Sequence, residues 1–120
     1  MPQDPNVRAR SLALANEVRL TRVRLARLAG TDPRAAEEAL LAPPKHCGGM
    51  PVRQLLRGLR GVGNYTALDL MLRANLSVTR TLGGLTPTER TRLALLLKKR
   101  RERRARPRQL RIDTRGADHE

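Results

Sequence analysis

No segment of this chain alternates apolar and polar residues in a β-branched or aromatic run, and its apolar residues recur three and four positions apart. Alternation marks a strand, whereas the three-four recurrence marks a helix buried along one face. The pattern predicts an all-α chain. Its 120 residues suffice for one small domain with extensions and are too few for two substantial cores.

Three units follow from the composition. Residues 1–49 carry a long helix, a short second helix and a linker. The long helix is expected over 6–29, with Leu14, Val18, Leu25 and Leu28 forming one stripe that lies on the core as a lid. Arg8, Arg10, Arg19, Arg22, Arg24 and Arg27 fall mostly on its other faces, and Gly30 is the expected stop. Thr31 or Asp32 then caps the short helix, with proline in its first turn, and Pro43-Pro44 end it. KHCGGM reads as a loop.

Residues 50–97 form the core unit. PVRQLLRGL predicts a helix with Val52, Leu55, Leu56 and Leu59 on one side, and NYTALDLMLRA a second with Ala67, Leu68, Met71 and Leu72 inward. Ser77 is expected to cap a very short helix, SVTRTL, and Gly83-Gly84 make a second glycine turn. Thr86-Pro87-Thr88-Glu89 is a capping box opening a helix whose apolar side is Leu93, Leu96 and Leu97. Residues 98–120 are a basic arm and tail. Nine basic residues and one acid fill 98–111, predicting a helical extension that frays near Pro107 into a disordered end.

Charge narrows the partners. Lys and Arg number 25 against 11 Asp and Glu, for a formal net charge of +14. A field of that size favours polyanions. Membrane insertion is disfavoured, since no apolar stretch approaches the roughly 20 residues of a span. MPQDPNVRAR lacks the apolar run of a signal peptide, so a cytoplasmic location is expected. Tyr65 is the lone aromatic residue, whereas single-strand platforms and RNA-recognition sheets need several. Backbone contact is therefore favoured over reading of splayed bases. Arginines outnumber lysines 22 to three, which suits bidentate phosphate contact and equally suits GC-rich codon usage. Cys47 alone makes no internal disulfide, and with only His46 and His119 no zinc site or cofactor is expected. Cys47 reads as a neutral loop or core residue.

Within the core unit, GLRGVGNYTALDLM places two glycines one residue apart between two helices. A helix N-terminus offers unpaired N–H groups and partial positive charge. Gly61 and Gly63 before such a helix let the amides near Gly61, Gly63 and Asn64 approach a phosphate oxygen, while Val62 plugs the turn into the core. The alternative is a plain helix–helix corner. Arg57 and Arg60 precede the turn, either as phosphate contacts or as solvated surface charges, the latter favoured for Arg57.

LRGVGNYTALDLM resembles the helix-hairpin-helix DNA-backbone binders. The longer pair MPVRQLLRGLRGVGNYTALDLM and LSVTRTLGGLTPTERTRLALLL resembles the actinobacterial integration host factor family across residues 50–97. That resemblance implies a helix-two-turn-helix core related to a small-subunit ribosomal protein, preceded by a lid helix. It implies a nucleoid-associated protein that binds double-stranded DNA with little sequence preference, bends or compacts it, and assists a recombinase or integrase, expected here as a monomer. Carried over by position, Gly61, Val62 and Gly63 would hold one phosphate strand, and Thr79 and Arg80 would supply a second contact; Arg60, Asn64, Tyr65, Thr66 and Thr81 beside them are further candidate nucleic-acid-binding residues. The sequence departs from the family at Asn64, Thr81 and Gly83, where basic residues are usual. Lys98, Lys99, Arg100 and Arg101 in the arm are expected to compensate, as in a divergent or phage-encoded member.

Two rivals stand beside this reading. A ribosomal-type protein binding structured RNA would use the same glycine turn. An enzyme reading starts from Met1-Pro2, which resembles the N-terminus of bifunctional DNA glycosylases, but the β-rich domain and the acidic residue at position 3 are missing. No catalytic residue is expected. With roughly four to eight phosphate contacts, log K should fall against log salt with a slope of about −4 to −7. Any bending is expected from wrapping and asymmetric neutralisation rather than from a wedge at Leu82 or Val62.

Overall fold

The computed structural model describes residues 4–105. Over these the chain is all-helical: α1 (Pro5–Thr31), α2 (Pro33–Leu41), α3 (Val52–Gly58), α4 (Asn64–Arg73), a short 3-10 turn (Leu82–Gly84) and α5 (Pro87–Ala105). Local chemistry starts three of them. Asp4 accepts from the Asn6 amide at 3.0 Å and Asp32 from the Arg34 amide at 3.2 Å, each just before a proline that opens the helix. Of the two candidate caps for α2, Asp32 is the one used. At α5 the capping box closes reciprocally: the Glu89 amide donates to Thr86 Oγ1 at 3.2 Å, and the Thr86 amide donates to Glu89 Oε1 at 2.9 Å. Each cap satisfies an amide that the helix itself leaves unpaired.

α5 packs on α2, the end of α1 lies over α2 and α3, and α4 closes the other side against α3 and α5. Leu40, Met50, Leu55, Leu56, Met71, Leu82 and Leu93 are fully buried between them. Burying a leucine of this kind contributes about 1.5–3 kcal/mol. Cys47 is buried in the same core. The crossing of α1 over α3 is unusually close. A Cβ on Gly58 would fall onto the Ala26 carbonyl oxygen, and one on Gly30 would lie 3.0 Å from the Gly58 carbonyl. Gly30 is therefore a crossing residue and not the expected stop. The helix runs on to Thr31 and ends where the Asp32 amide donates to the Leu28 carbonyl at 2.7 Å.

The lid is shorter than its stripe. Leu25 and Ala29 are buried, but Leu14 and Leu28 are about half exposed, as are Val7, Leu12 and Leu20. A helix of 27 residues extends about 40 Å, so it outruns the small face that α2 and α3 offer. Ala29, next to the glycine crossing, is buried in place of Leu28. On α4, Leu70 is buried and Leu72 is 67% exposed, reversing the expectation for Leu72, while Leu68 is half-buried.

SVTRTL is not helical either. Val78-Thr79 make a turn, with Ser77 Oγ 3.0 Å from Thr79 Oγ1 and the Arg80 amide donating to the Ser77 carbonyl. Such hydroxyl contacts compete with a helix. The following backbone is then held extended: the Val52 amide donates to the Arg80 carbonyl, and the Leu82 amide to the Met50 carbonyl. A lone bridge between Pro51 and Thr81 is the one strand-like pairing among the described residues. The expected second glycine turn lies inside the 3-10 turn.

Several arginines hold the helices by their ends. Arg90 donates to the Leu40 carbonyl at the end of α2 (2.9 Å) and Arg92 to the Ala74 carbonyl at the end of α4 (3.1 Å). Arg22 of α1 donates to the His46 carbonyl at 3.1 Å. Carbonyls at a helix C-terminus lack partners and carry partial negative charge, so a guanidinium satisfies both needs.

Candidate nucleic-acid interface

The glycine turn joins α3 to α4 in five residues, Leu59–Gly63. The Leu59 amide donates to Leu56 and the Val62 amide to Leu59, each at 3.1 Å, which tightens the end of α3 and buries Val62. Gly61 makes the reversal with φ +79°, a conformation that glycine adopts freely. Gly63 then caps α4 with no side chain bonded to the helix amides. Gly63, Asn64 and Tyr65 are exposed, Thr66 is half-buried, and the lone aromatic side chain of Tyr65 is 85% exposed. The first turn of α4 therefore keeps its amides free of any side-chain cap.

What lies over the turn is the far end of α5. Arg104 Nη1 sits 3.0 Å and Arg100 Nη2 3.4 Å from the place a Cβ on Gly61 would occupy. Arg100 Nη2 also donates to the Arg60 carbonyl at 3.0 Å. Burial first, and then the charges of Arg104 and Arg103, push the Arg100 guanidinium below its ordinary pKa. Three arginines, Arg60, Arg100 and Arg104, thus gather at the glycine turn. Arg103 and Arg104 were not among the residues singled out from sequence. For Arg104 a signal is present: Leu93, Leu97, Arg100 and Arg104 follow one another at intervals of four, three and four, so Arg100 and Arg104 continue the apolar stripe of α5.

The second expected strand contact is built differently. Thr81 pairs with Pro51, so Thr79–Thr81 lie at the N-terminal end of α3 and the glycine turn at its C-terminal end. Seven residues of helix separate them by about 10 Å. Arg80 turns onto the protein, with Nη2 3.2 Å from Glu89 Oε2 and Nη1 donating to the Gly84 carbonyl at 3.2 Å. A backbone hydrogen bond from Thr86 and the nearby Arg80 hold the Glu89 carboxyl below its usual pKa. Arg80 is therefore a clamp on the capping box rather than a free cation. Thr79 is exposed and Thr81 half-buried.

The arm is also partly spoken for. Arg101 meets Glu37 of α2 in a two-pronged pair, Nε to Oε2 at 2.7 Å and Nη2 to Oε1 at 3.3 Å. This pair raises the arginine's pKa and fastens α5 to α2. Lys98 and Lys99 are exposed on the same helix. Residues 98–105 are thus a docked helix, and the expected fraying at Pro107 lies outside the described residues. Val62 and Leu82 are both buried, which leaves neither as a wedge. Among the described residues no helix is long and apolar enough to cross a membrane. No protein-family model, no curated protein and no solved structure matches the chain.

Proposed function

We propose that this chain is an architectural protein of the integration host factor kind, which holds the backbone of duplex DNA with little sequence preference and bends or compacts it. The observation that carries the reading is the convergence of Arg60, Arg100 and Arg104 on the exposed glycine turn and open N-terminus of α4. Backbone amides and guanidinium forks are the groups that bind phosphate without reading bases. With Arg80 and Arg101 engaged by Glu89 and Glu37, the cations at the turn are Arg60, Arg100 and Arg104, with Arg103 beside Arg100. That set supports a salt slope of about −4, the shallow end of the expected range. A recombinase or integrase acting on the same DNA would be a partner through the DNA, and the protein would work as a monomer.

The test is a salt-titrated binding assay on one duplex made as DNA and as RNA, with the wild type and an Arg100→Gln/Arg104→Gln double variant. Tighter DNA binding, lost in the double variant, supports the reading. Tighter RNA binding transfers the same site to structured RNA. Equal binding by wild type and variant refutes it.

A further inference from the structure

Behind the glycine turn lies a cavity of about 300 Å³, between the end of α1, the α3–α4 turn and the end of α5. That volume is at the lower edge of small-molecule sites, which span about 300–1,000 Å³. Its lining is of two kinds. Ala29, Leu59 and Leu97 give an apolar floor, and Arg60, Arg100 and Arg104 stand round it. A fourth lining arginine, Arg101, is already neutralised by Glu37, and among the described residues no acidic residue lines the space.

We propose that this cavity seats a terminal phosphate, as a monoester or diphosphate carried on a small, partly apolar body. Like charges held close on a partly buried surface cost free energy until an anion neutralises them, and Arg100 already feels both burial and its arginine neighbours. Arg100 is preset for the task, since its bond to the Arg60 carbonyl fixes the guanidinium at the rim. A phosphodiester inside a duplex continues on both sides and can only lie across such a mouth. A terminal phosphate enters end-on, has free oxygens for forked contacts, and carries about −1.5 to −2 charge at pH 7. Three arginines match that charge better than the single charge of a diester. The proposal goes beyond duplex binding and shares Arg60, Arg100 and Arg104 with it, so a filled cavity would weaken DNA binding.

The chemistry has two sources, a free phosphorylated small molecule and the 5′ end of a nucleic acid. Calorimetry on the full chain at physiological salt should use inorganic pyrophosphate and a nucleoside diphosphate. In parallel, one duplex is compared with and without 5′-phosphates. The variants are Arg104→Gln, which removes a cation, and Ala105→Phe, which fills the cavity from its exposed rim and keeps every charge. Circular dichroism checks that both fold. Diphosphate binding should fall about tenfold or more in each variant, as expected for losing a charge-assisted fork or the space itself. It should also weaken below about pH 6, where the phosphate takes a proton. Dependence on the 5′-phosphate without diphosphate binding assigns the seat to a nucleic-acid end. Binding of neither, or binding indifferent to both variants and to pH, overturns the proposal even if the duplex is still held.

Discussion

Gly63→Glu separates folding from binding at the glycine turn. Gly61 is the more obvious target and the worse one. Its φ of +79° disfavours any other residue by about 1–2 kcal/mol, and a new Cβ would meet Arg104 at 3.0 Å, so a loss of binding there would have two causes. Gly63 has an ordinary φ of −95°, and a Cβ on it has no neighbour within 4 Å. Glutamate is a weaker N-cap than glycine, but its charge suits a helix N-terminus, so stability should change by only about 0.5 kcal/mol. Binding should respond strongly. A carboxylate about 6 Å from a phosphate repels it by about 0.7 kcal/mol at the dielectric of water and about 2.8 kcal/mol at an effective value near 20. DNA affinity at low salt should therefore drop about 3- to 100-fold, with a salt slope shallower by about one unit where the phosphate contact is lost. Fluorescence anisotropy across a salt series reads both quantities, and thermal unfolding reads the stability. Gly63→Lys, with the same backbone demand, should bind more tightly and more steeply. If both variants bind DNA as the wild type does, no phosphate sits at this turn.

Three other outcomes are expected. Gly58→Ala should lower stability by about 1–3 kcal/mol or more in chemical denaturation, because its methyl group lands on the backbone carbonyl of Ala26 and α1 must move. Leu56→Ala, at a fully buried site, should cost about 2–5 kcal/mol in the same measurement. Glu89 has a depressed pKa in the folded chain, so its contribution is fully present above the ordinary carboxylate value of about 4.3 and is lost as the pH falls through the lower folded value. In Glu89→Gln that part of the acid-side loss of stability should disappear; an unchanged pH profile would sink this account of the capping box.

What could be read from the sequence was local. Asp32, Pro33 and the Thr86–Glu89 box act within one turn of chain, so their residue types suffice to place helix starts. The Gly61-Val62-Gly63 turn was legible for the same reason. What escaped notice was set by partners far along the chain. Gly30 looks like a terminator until Gly58 is known to lie against it. Ala29, buried beside that crossing, takes the place expected for Leu28. On α4, the burial of Leu70 and the exposure of Leu72 depend on where α3 and α5 meet it. The candidate site divides likewise. Its turn was visible, but the guanidinium groups above it come from residues some 40 positions later, and only the continued stripe of α5 hinted at them.

From the sequence, the arginine content fits either a phosphate-binding trait or a codon habit, and the fold supplies a third use. This chain has almost no aromatic residues, so its core is built from Leu, Ala, Val and Met. Every helix leaves its last carbonyls unpaired, and Arg90 and Arg92 cap those of α2 and α4, while Arg22 ties α1 to the His46 carbonyl in the loop after α2. Arg80 and Arg101 do related work on the carboxylates Glu89 and Glu37. Net charge therefore overstates the number of cations free to meet an anion. It also says nothing about how those contacts are presented. Because Arg101 ties α5 to α2 and Arg100 is bonded to the Arg60 carbonyl, the end of α5 and the Arg100 guanidinium are positioned at the glycine turn before any anion arrives. A free arm would lose about 0.5–1.5 kcal/mol for each long side chain it immobilised on binding. The docked helix avoids much of that cost, so a few arginines on a rigid platform can do what a longer disordered arm would need more charge to achieve.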